Sequence, residues 1–202
     1  MPSTVVFDLG GVLIDWNPRH LYGKLIADEA AREHFLTEVC PPSWNVAQDG
    51  GRSWDEAIAE AIARHPDKAE WIRAYRARWR EMLNGVIEDT LAILERLKAD
   101  GVRLLALTNW SAETFVEARE IFPFLGHFEG ILVSGEEKLL KPHREIFELL
   151  ARRYDLVPAE AVFIDDSAAN VAGARAVGFD AIHYQSSAQL ADELRARGFL
   201  GG

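Results

Sequence analysis

The sequence predicts an α/β fold, a mostly parallel sheet interrupted by an inserted all-helical module, and three observations carry that prediction. Short apolar runs rich in Val, Ile, Leu and Phe recur along the 202 residues, and each stops at a polar or glycine-containing segment. Helical patterns separate these runs, which implies βαβ units and a sheet covered on both faces. One stretch, residues 16–85, breaks the alternation and shows helical patterns alone.

Taken in order, Thr4-Val-Val-Phe7 is short, β-branched and aromatic, and it runs into Asp-Leu-Gly-Gly, as a buried strand closed by a loop does. Within 16–85 the segments 54–64 and 69–83 are amphipathic, and no run reads as a strand. Five of the six tryptophans (Trp16, Trp44, Trp54, Trp71 and Trp79) fall there. Most are expected to form the core of a small helical module. Trp44, in an irregular segment with Pro41, Pro42, Gly50 and Gly51, is the one expected to face a ligand. Beyond the module, Ile87, Leu91, Leu94 and Leu97 make one helical stripe, which Gly101 terminates. A strand is expected over 102–108, then a helix capped by Ser111 and running to Ile121. A weaker strand over 130–134 precedes a helix opened by Pro142 and ending at Tyr154. A strand over 161–164, an alanine-rich helix over 167–177 stopped by Gly178, and a strand over 181–184 complete the series. The chain thus divides into a core of residues 1–15 and 86–202 and a helical module of residues 16–85.

Composition narrows the function. The formal charge of −10 argues against a nucleic-acid partner, whose phosphate backbone needs a basic face. No apolar run approaches the ~20 residues that span a bilayer, and no signal-like segment precedes Asp8, so a cytoplasmic protein with no membrane partner is expected. The single cysteine, Cys40, excludes an intramolecular disulfide and is expected to be a buried bystander.

In an open parallel sheet, ligands bind beyond the carboxyl ends of the strands. The residues that close the apolar runs are Asp8, Thr108-Asn109 and Asp165-Asp166, and Lys141 follows the weaker run. Each has a plain structural reading alone, as helix cap or turn residue. Together they bring a nucleophile-grade carboxylate, a hydroxyl, a cation and a carboxylate pair to one crevice.

These segments resemble the motifs of the haloacid dehalogenase-like hydrolases. Phe7-Asp-Leu-Gly-Gly-Val-Leu-Ile-Asp15 is similar to the first motif and Leu107-Thr108-Asn109 to the second. Lys141-Pro142 is similar to the third, and Phe163-Ile-Asp-Asp-Ser-Ala-Ala-Asn170 to the fourth. The resemblance covers nearly the whole chain and implies a Rossmann-like core with 16–85 as its helical cap. It implies Mg²⁺ as cofactor, a small phosphorylated metabolite as substrate, and a monomer or homodimer. Asp8 would attack phosphorus and form an aspartyl-phosphate. The resemblance assigns Mg²⁺ to the Asp8 carboxylate, the Gly10 carbonyl and Asp166, with Asp165 bonding to a metal-bound water. Thr108 would donate its hydroxyl to a phosphoryl oxygen, and Lys141 would balance charge on nucleophile and phosphate. Backbone amides of Leu9, Gly10 and Asn109 would complete the phosphate cradle. Asn170, one helical turn past Asp166, would either support the metal site or face solvent.

The pattern departs from the family at one position. Phosphatases of this kind carry a second aspartate two residues after the nucleophile, as acid and base, and here that residue is Gly10. General acid–base help is worth about 10²–10⁴-fold. Its loss predicts a rate that depends steeply on leaving-group pKa, unless another residue donates the proton, Asp15 being the candidate. Metal-independent 2-haloacid dehalogenases also lack that aspartate and form one alternative. Two adjacent carboxylates without a cation would burden such a site with repulsion. A non-catalytic phosphate-binding member of the fold is the other alternative. The Asp-Leu-Gly start and Asp-Asp-x-x-x-Asn ending are similar to those of bacterial sugar-phosphate phosphatases of the alpha-glucose-1-phosphate type.

Overall fold

The computed structural model describes residues 3–201. Strand β1 (Thr4–Phe7) is followed by a tight loop and a short strand β2 (Ile14–Trp16). Helices α1 (Pro18–Leu25), α2 (Glu29–His34), α3 (Pro42–Asp49), α4 (Trp54–Arg64) and α5 (Ala69–Ala77) come next, with a π turn at Phe35–Val39. Strand β3 (Leu83–Val86) then leads into α6 (Glu88–Ala99), β4 (Arg103–Thr108), α7 (Ala112–Ile121) and β5 (Gly130–Val133). The chain finishes with α8 (Ser134–Glu137), α9 (Arg144–Arg153), β6 (Ala161–Asp165), α10 (Ala168–Val177), β7 (Asp180–His183) and α11 (Ser187–Ala196). The five long-range strands form one parallel sheet in the order β5-β4-β1-β6-β7.

Period-2 alternation accounts for the burial on both faces. Val5 and Phe7, with Leu104, Ala106, Val162 and Ile164, point to the face covered by α6, α7 and α11, whose Leu94, Phe115 and Leu190 meet them. Val6, Leu105, Leu107 and Phe163 point to the opposite face, where Ile146, Phe147 and Leu150 of α9 and Val171 of α10 close over them. Each fully buried Leu, Val or Phe contributes about 1.5–3 kcal/mol of transfer free energy. Gly178 ends α10 in the left-handed conformation expected of a C-terminal glycine.

Three expectations are corrected. The stretch 16–85 is not strand-free at its ends: β2 and β3 pair as an antiparallel ribbon, Ile14 opposite Val86 and Trp16 opposite Leu83. Ile14-Asp-Trp16 and Leu83-Asn-Gly-Val86 are broken by polar and glycine residues and make no continuous apolar run, and the ribbon exists because the two ends of the insert meet. The helix assigned to Pro142 begins at Arg144, because residues 140–143 close a turn of their own, His143 N–H donating to the Leu140 carbonyl at 2.9 Å. Ser111 is the N-cap residue of α7, as expected, but its side chain makes no capping hydrogen bond. Its hydroxyl instead accepts from Trp54 Nε1 at 3.0 Å, tying the insert to the core.

Other bonds cross the same boundary. Ser134 Oγ donates to the Asp49 carbonyl at 2.6 Å, and Arg76 and Arg80 both pair with Glu117 of α7, at 2.8 and 2.5 Å. Among the described residues, no helix is long and apolar enough to cross a membrane. Cys40 is buried, and burial pushes its thiol pKa up to about 12, as suits a bystander.

Candidate active site

The strand order changes direction at β1, with β4 and β5 on one side and β6 and β7 on the other, so the end of β1 opens on the crevice of the sheet. Phe7 is in register with both Ala106 and Ile164, and Asp8 N–H donates to the Ile164 carbonyl at 2.8 Å. Asp8 therefore leaves the sheet level with Asp165. The Asp8, Asp165 and Asp166 carboxylates converge, each offering an oxygen within 4.8 Å of the others. Lys141 Nζ, buried, bridges two of them, at 2.9 Å from Asp8 and 2.7 Å from Asp165, and also donates to the Leu107 carbonyl at 2.9 Å.

The electrostatics follow from burial. Burial raises the Asp8 pKa to about 7; Lys141 opposes the rise, and Asp165 and Asp166 add to it. Burial and then the Asp165 charge also push Asp166 upward. Burial alone would lower the Lys141 pKa, but the two carboxylates outweigh it and hold the ammonium above the ordinary lysine value. Three carboxylates and one ammonium leave two negative charges to be balanced.

The surrounding groups hold this arrangement. Leu9 N–H donates to Asp8 Oδ1 at 2.7 Å. Asn109 grips the Lys141 backbone twice, its Nδ2 donating to the Lys141 carbonyl at 3.0 Å and its Oδ1 accepting from Lys141 N–H at 2.9 Å. Its side chain thus positions the lysine, a contribution that sequence reasoning, confined to its backbone amide, misses. Thr108 closes β4 beside it, buried, in register with Val133. Asn170 Nδ2 donates to both Asp165 oxygens, at 3.0 and 3.1 Å, and Ser167 N–H donates to Asp165 Oδ1 at 2.8 Å. Of the two readings of Asn170, the geometry favours support of the carboxylates. At Gly11, with φ at 73°, a Cβ would overlap the Asp166 carboxylate, so glycine is needed for this approach. At Gly10 an added Cβ meets nothing within 4 Å.

Above the strand ends lies a cavity of about 70 Å³, with Gly10 and Asn109 on its floor. Trp16, Trp54, Trp79 and Trp110 wall it, and Asn45 and Asp49 of α3 supply its polar side. Trp44 does not reach it. It lies inside α3, buried against Trp54 and Tyr75 at centroid distances of 5.5 and 5.1 Å, with Nε1 donating to the Ala57 carbonyl. The expectation for Trp44 fails because the segment is helical and turns that ring inward. Asp15 points elsewhere too. It follows the opposite pleat from Trp16 on β2, and its carboxylate is held by Asn84 Nδ2 at 2.9 Å and His20 Nε2 at 3.1 Å. Hydrogen bonds from Asn84 and His20 hold its pKa below the usual value, the reverse of what a proton donor needs. Asn45 and Asp49 carry no strand-end signal, and only the docking of the insert brings them here; Trp110 follows directly on the strand-end pair Thr108-Asn109 and could have been found from it.

Comparison with known proteins places these features in a family. Residues 2–178 match the family model for haloacid dehalogenase-like hydrolases. The sesquiterpene phosphatase astK of Aspergillus oryzae is 28% identical over 193 residues, spanning 96% of this chain and 95% of its own. The fructose-1-phosphate phosphatase YqaB of Escherichia coli is 25% identical over 185 residues, spanning 88% and 94%. Among solved structures, the Bacteroides thetaiotaomicron enzyme bt-2542, in complex with magnesium and inorganic phosphate, superposes with a TM-score of 0.70 at 24% identity. It covers 92% of this chain and 95% of its own. The L-2-haloacid dehalogenase of Xanthobacter autotrophicus also shares the fold, with a TM-score of 0.63 at 19% identity, covering 100% and 85%.

Proposed function

The chain belongs to the haloacid dehalogenase-like hydrolase family, and from that premise we propose that it hydrolyses a phosphate monoester of a small metabolite, with Mg²⁺, through an aspartyl-phosphate on Asp8. One observation carries the reading: three carboxylates converge around one buried lysine and leave two negative charges, which suits a divalent cation. All the donors are hard oxygens, as Mg²⁺ requires. Asp8, Asp166 and the Gly10 carbonyl would hold it, with Asp165 in an outer role because its oxygens already accept from Lys141, Asn170 and Ser167. Once bound, Mg²⁺ neutralises phosphate charge, so that a carboxylate nucleophile and an anionic ester can meet.

The remaining steps belong to the chain's own residues. Lys141 keeps Asp8 oriented and partly offsets the burial that would otherwise protonate it. Thr108 and the amides of Leu9, Gly10 and Asn109 would cradle the phosphoryl oxygens, and Asn109 fixes the backbone of Lys141 while doing so. Residues 16–85 act as a cap whose tryptophans exclude water from the leaving group. The two curated relatives named above share a phosphate ester and differ in what it is attached to, so the common chemistry is the ester. The carboxylate trio favours this reading over halide displacement, which would gain nothing from three like charges.

A panel of phosphorylated metabolites and aryl phosphates, assayed with Mg²⁺ and with EDTA, tests it. Turnover that needs Mg²⁺ and is silenced by EDTA is expected. Chloride release from 2-chloropropionate in EDTA, without phosphate release in Mg²⁺, would overturn it.

A further inference from the structure

The glycine at position 10 leaves the reaction without its acid, and the structure points to a replacement on the insert. A leaving-group acid must lie across the phosphorus from the nucleophile, on the side of the cavity where the departing alcohol sits. Gly10 faces that cavity with open space above its Cα. The carboxylic side chain lining the same cavity belongs to Asp49, in the last turn of α3.

Asp49 is held in place from both ends. Its carbonyl accepts from Ser134 Oγ at 2.6 Å, which anchors its backbone to the core. Its Oδ2 accepts from Asn45 Nδ2 at 3.0 Å, an i, i+4 contact along the same helix that aims the carboxyl. The walls around it are indole rings, which offer no compensating cation. No salt bridge engages it among the described residues, unlike Asp15.

We propose, on the phosphatase reading above, that Asp49 is the catalytic acid and base of this enzyme, delivered by the insert in place of the side chain that Gly10 lacks. As the Asp8 oxygen bonds to phosphorus, the bond to the leaving oxygen breaks. That oxygen takes the electron pair together with the proton of the Asp49 carboxyl. The ionised Asp49 then accepts a proton from water as the water oxygen attacks phosphorus and the bond to Asp8 breaks. Asp49 is protonated again, and ester plus water have become alcohol plus phosphate. The protonation state suits an acid that must also serve as a base near neutrality. Burial raises the Asp49 pKa to about 7, with the Ser111 backbone amide opposing the rise.

The test compares a poor and a good leaving group, glycerol phosphate and 4-nitrophenyl phosphate, in rapid-quench single turnovers with Mg²⁺. The parent should show a shallow dependence on leaving-group pKa. In Asp49→Asn the alkyl ester should slow by about 10²-fold or more, whereas the aryl ester stays within about 5-fold, because only the alkoxide needs the proton. Adding Gly10→Asp to Asp49→Asn should return part of the alkyl rate, since nothing obstructs a side chain there. An equal loss on both esters would make Asp49 structural and overturn the proposal, as would no loss on either. Should Asp49→Asn fail to fold, Asp49→Glu takes its place and should keep the shallow dependence with a shifted pH profile, and a parent steeply dependent on leaving-group pKa overturns the proposal outright, because it has no internal acid. A parent inert on these two esters and on the whole panel above removes the phosphatase reading itself, whereas a parent active on both with an unchanged ratio in Asp49→Asn removes only the role of Asp49.

Discussion

Because burial holds the Asp8 pKa near 7, Mg²⁺ must compete with a proton for that carboxylate across the neutral range. For a group of that pKa, about a tenth is ionised at pH 6 and about nine-tenths at pH 8. Through Asp8 alone, the affinity for Mg²⁺ should fall about 10-fold between pH 8 and pH 6, and the raised pKa of Asp166 adds to the fall. At pH 7 roughly half a proton per ion should be released from Asp8. Isothermal titration calorimetry in two buffers of different ionisation enthalpy measures both quantities. Stability follows the same linkage with a definite sign. The native state holds a proton on Asp8 that the unfolded chain has already lost above the ordinary carboxylate pKa. Metal-free stability from this group is therefore fully present at low pH and declines as pH rises to about 7. The rise in Tm on adding Mg²⁺ should accordingly grow with pH over 5.5–8. An affinity constant within about 2-fold between pH 6 and 8, with no proton release, would refute the coupling of this carboxylate trio to a cation.

Further outcomes follow from individual contacts. Asp8→Asn should fold, keeping the Lys141–Asp165 pair, and should lose turnover, since an amide cannot form the acyl-phosphate; single-turnover rates within about 100-fold of the parent would remove Asp8 from that role. Lys141→Met strips the cation from two buried carboxylates and should cost about 3–5 kcal/mol in urea unfolding at pH 8, and less at pH 6, where Asp8 can take up a proton; a change under about 1 kcal/mol at pH 8 contradicts the geometry. Gly11→Ala, strained by its positive φ and pressed against the Asp166 carboxylate, should weaken Mg²⁺ binding by about 10-fold or more, readable by the same calorimetry.

The framework of the site was legible in the sequence because parallel strands buried on both faces must be continuous apolar runs. The first polar residue after such a run marks the carboxyl edge of the sheet. Asp8, Thr108, Asn109, Asp165 and Asp166 could therefore be picked out, and the structure brings them to one edge. Lys141 needed the motif order as well, because its strand is short and α8 intervenes.

What the sequence withheld depends on how the insert meets the core. An apolar residue declares that it will be covered without declaring by what, so the sequence singled out Trp44 for the ligand, whereas the structure buries Trp44 against Tyr75 and sets Trp16 on the cavity wall. The ribbon of β2 and β3 joins residues about 70 apart, and the pairing of Asn109 with Lys141 spans 32 positions. Such contacts leave no local periodicity. Asp49 is the sharpest case. Nothing in Gln48-Asp49-Gly50-Gly51 distinguishes it from a surface turn, and only the packing of α3 over the strand ends desolvates its carboxyl and puts it on the cavity that Gly10 also lines. Local chemistry follows from residue order, whereas burial and facing are properties of the docked whole, because both depend on which distant surfaces exclude water together.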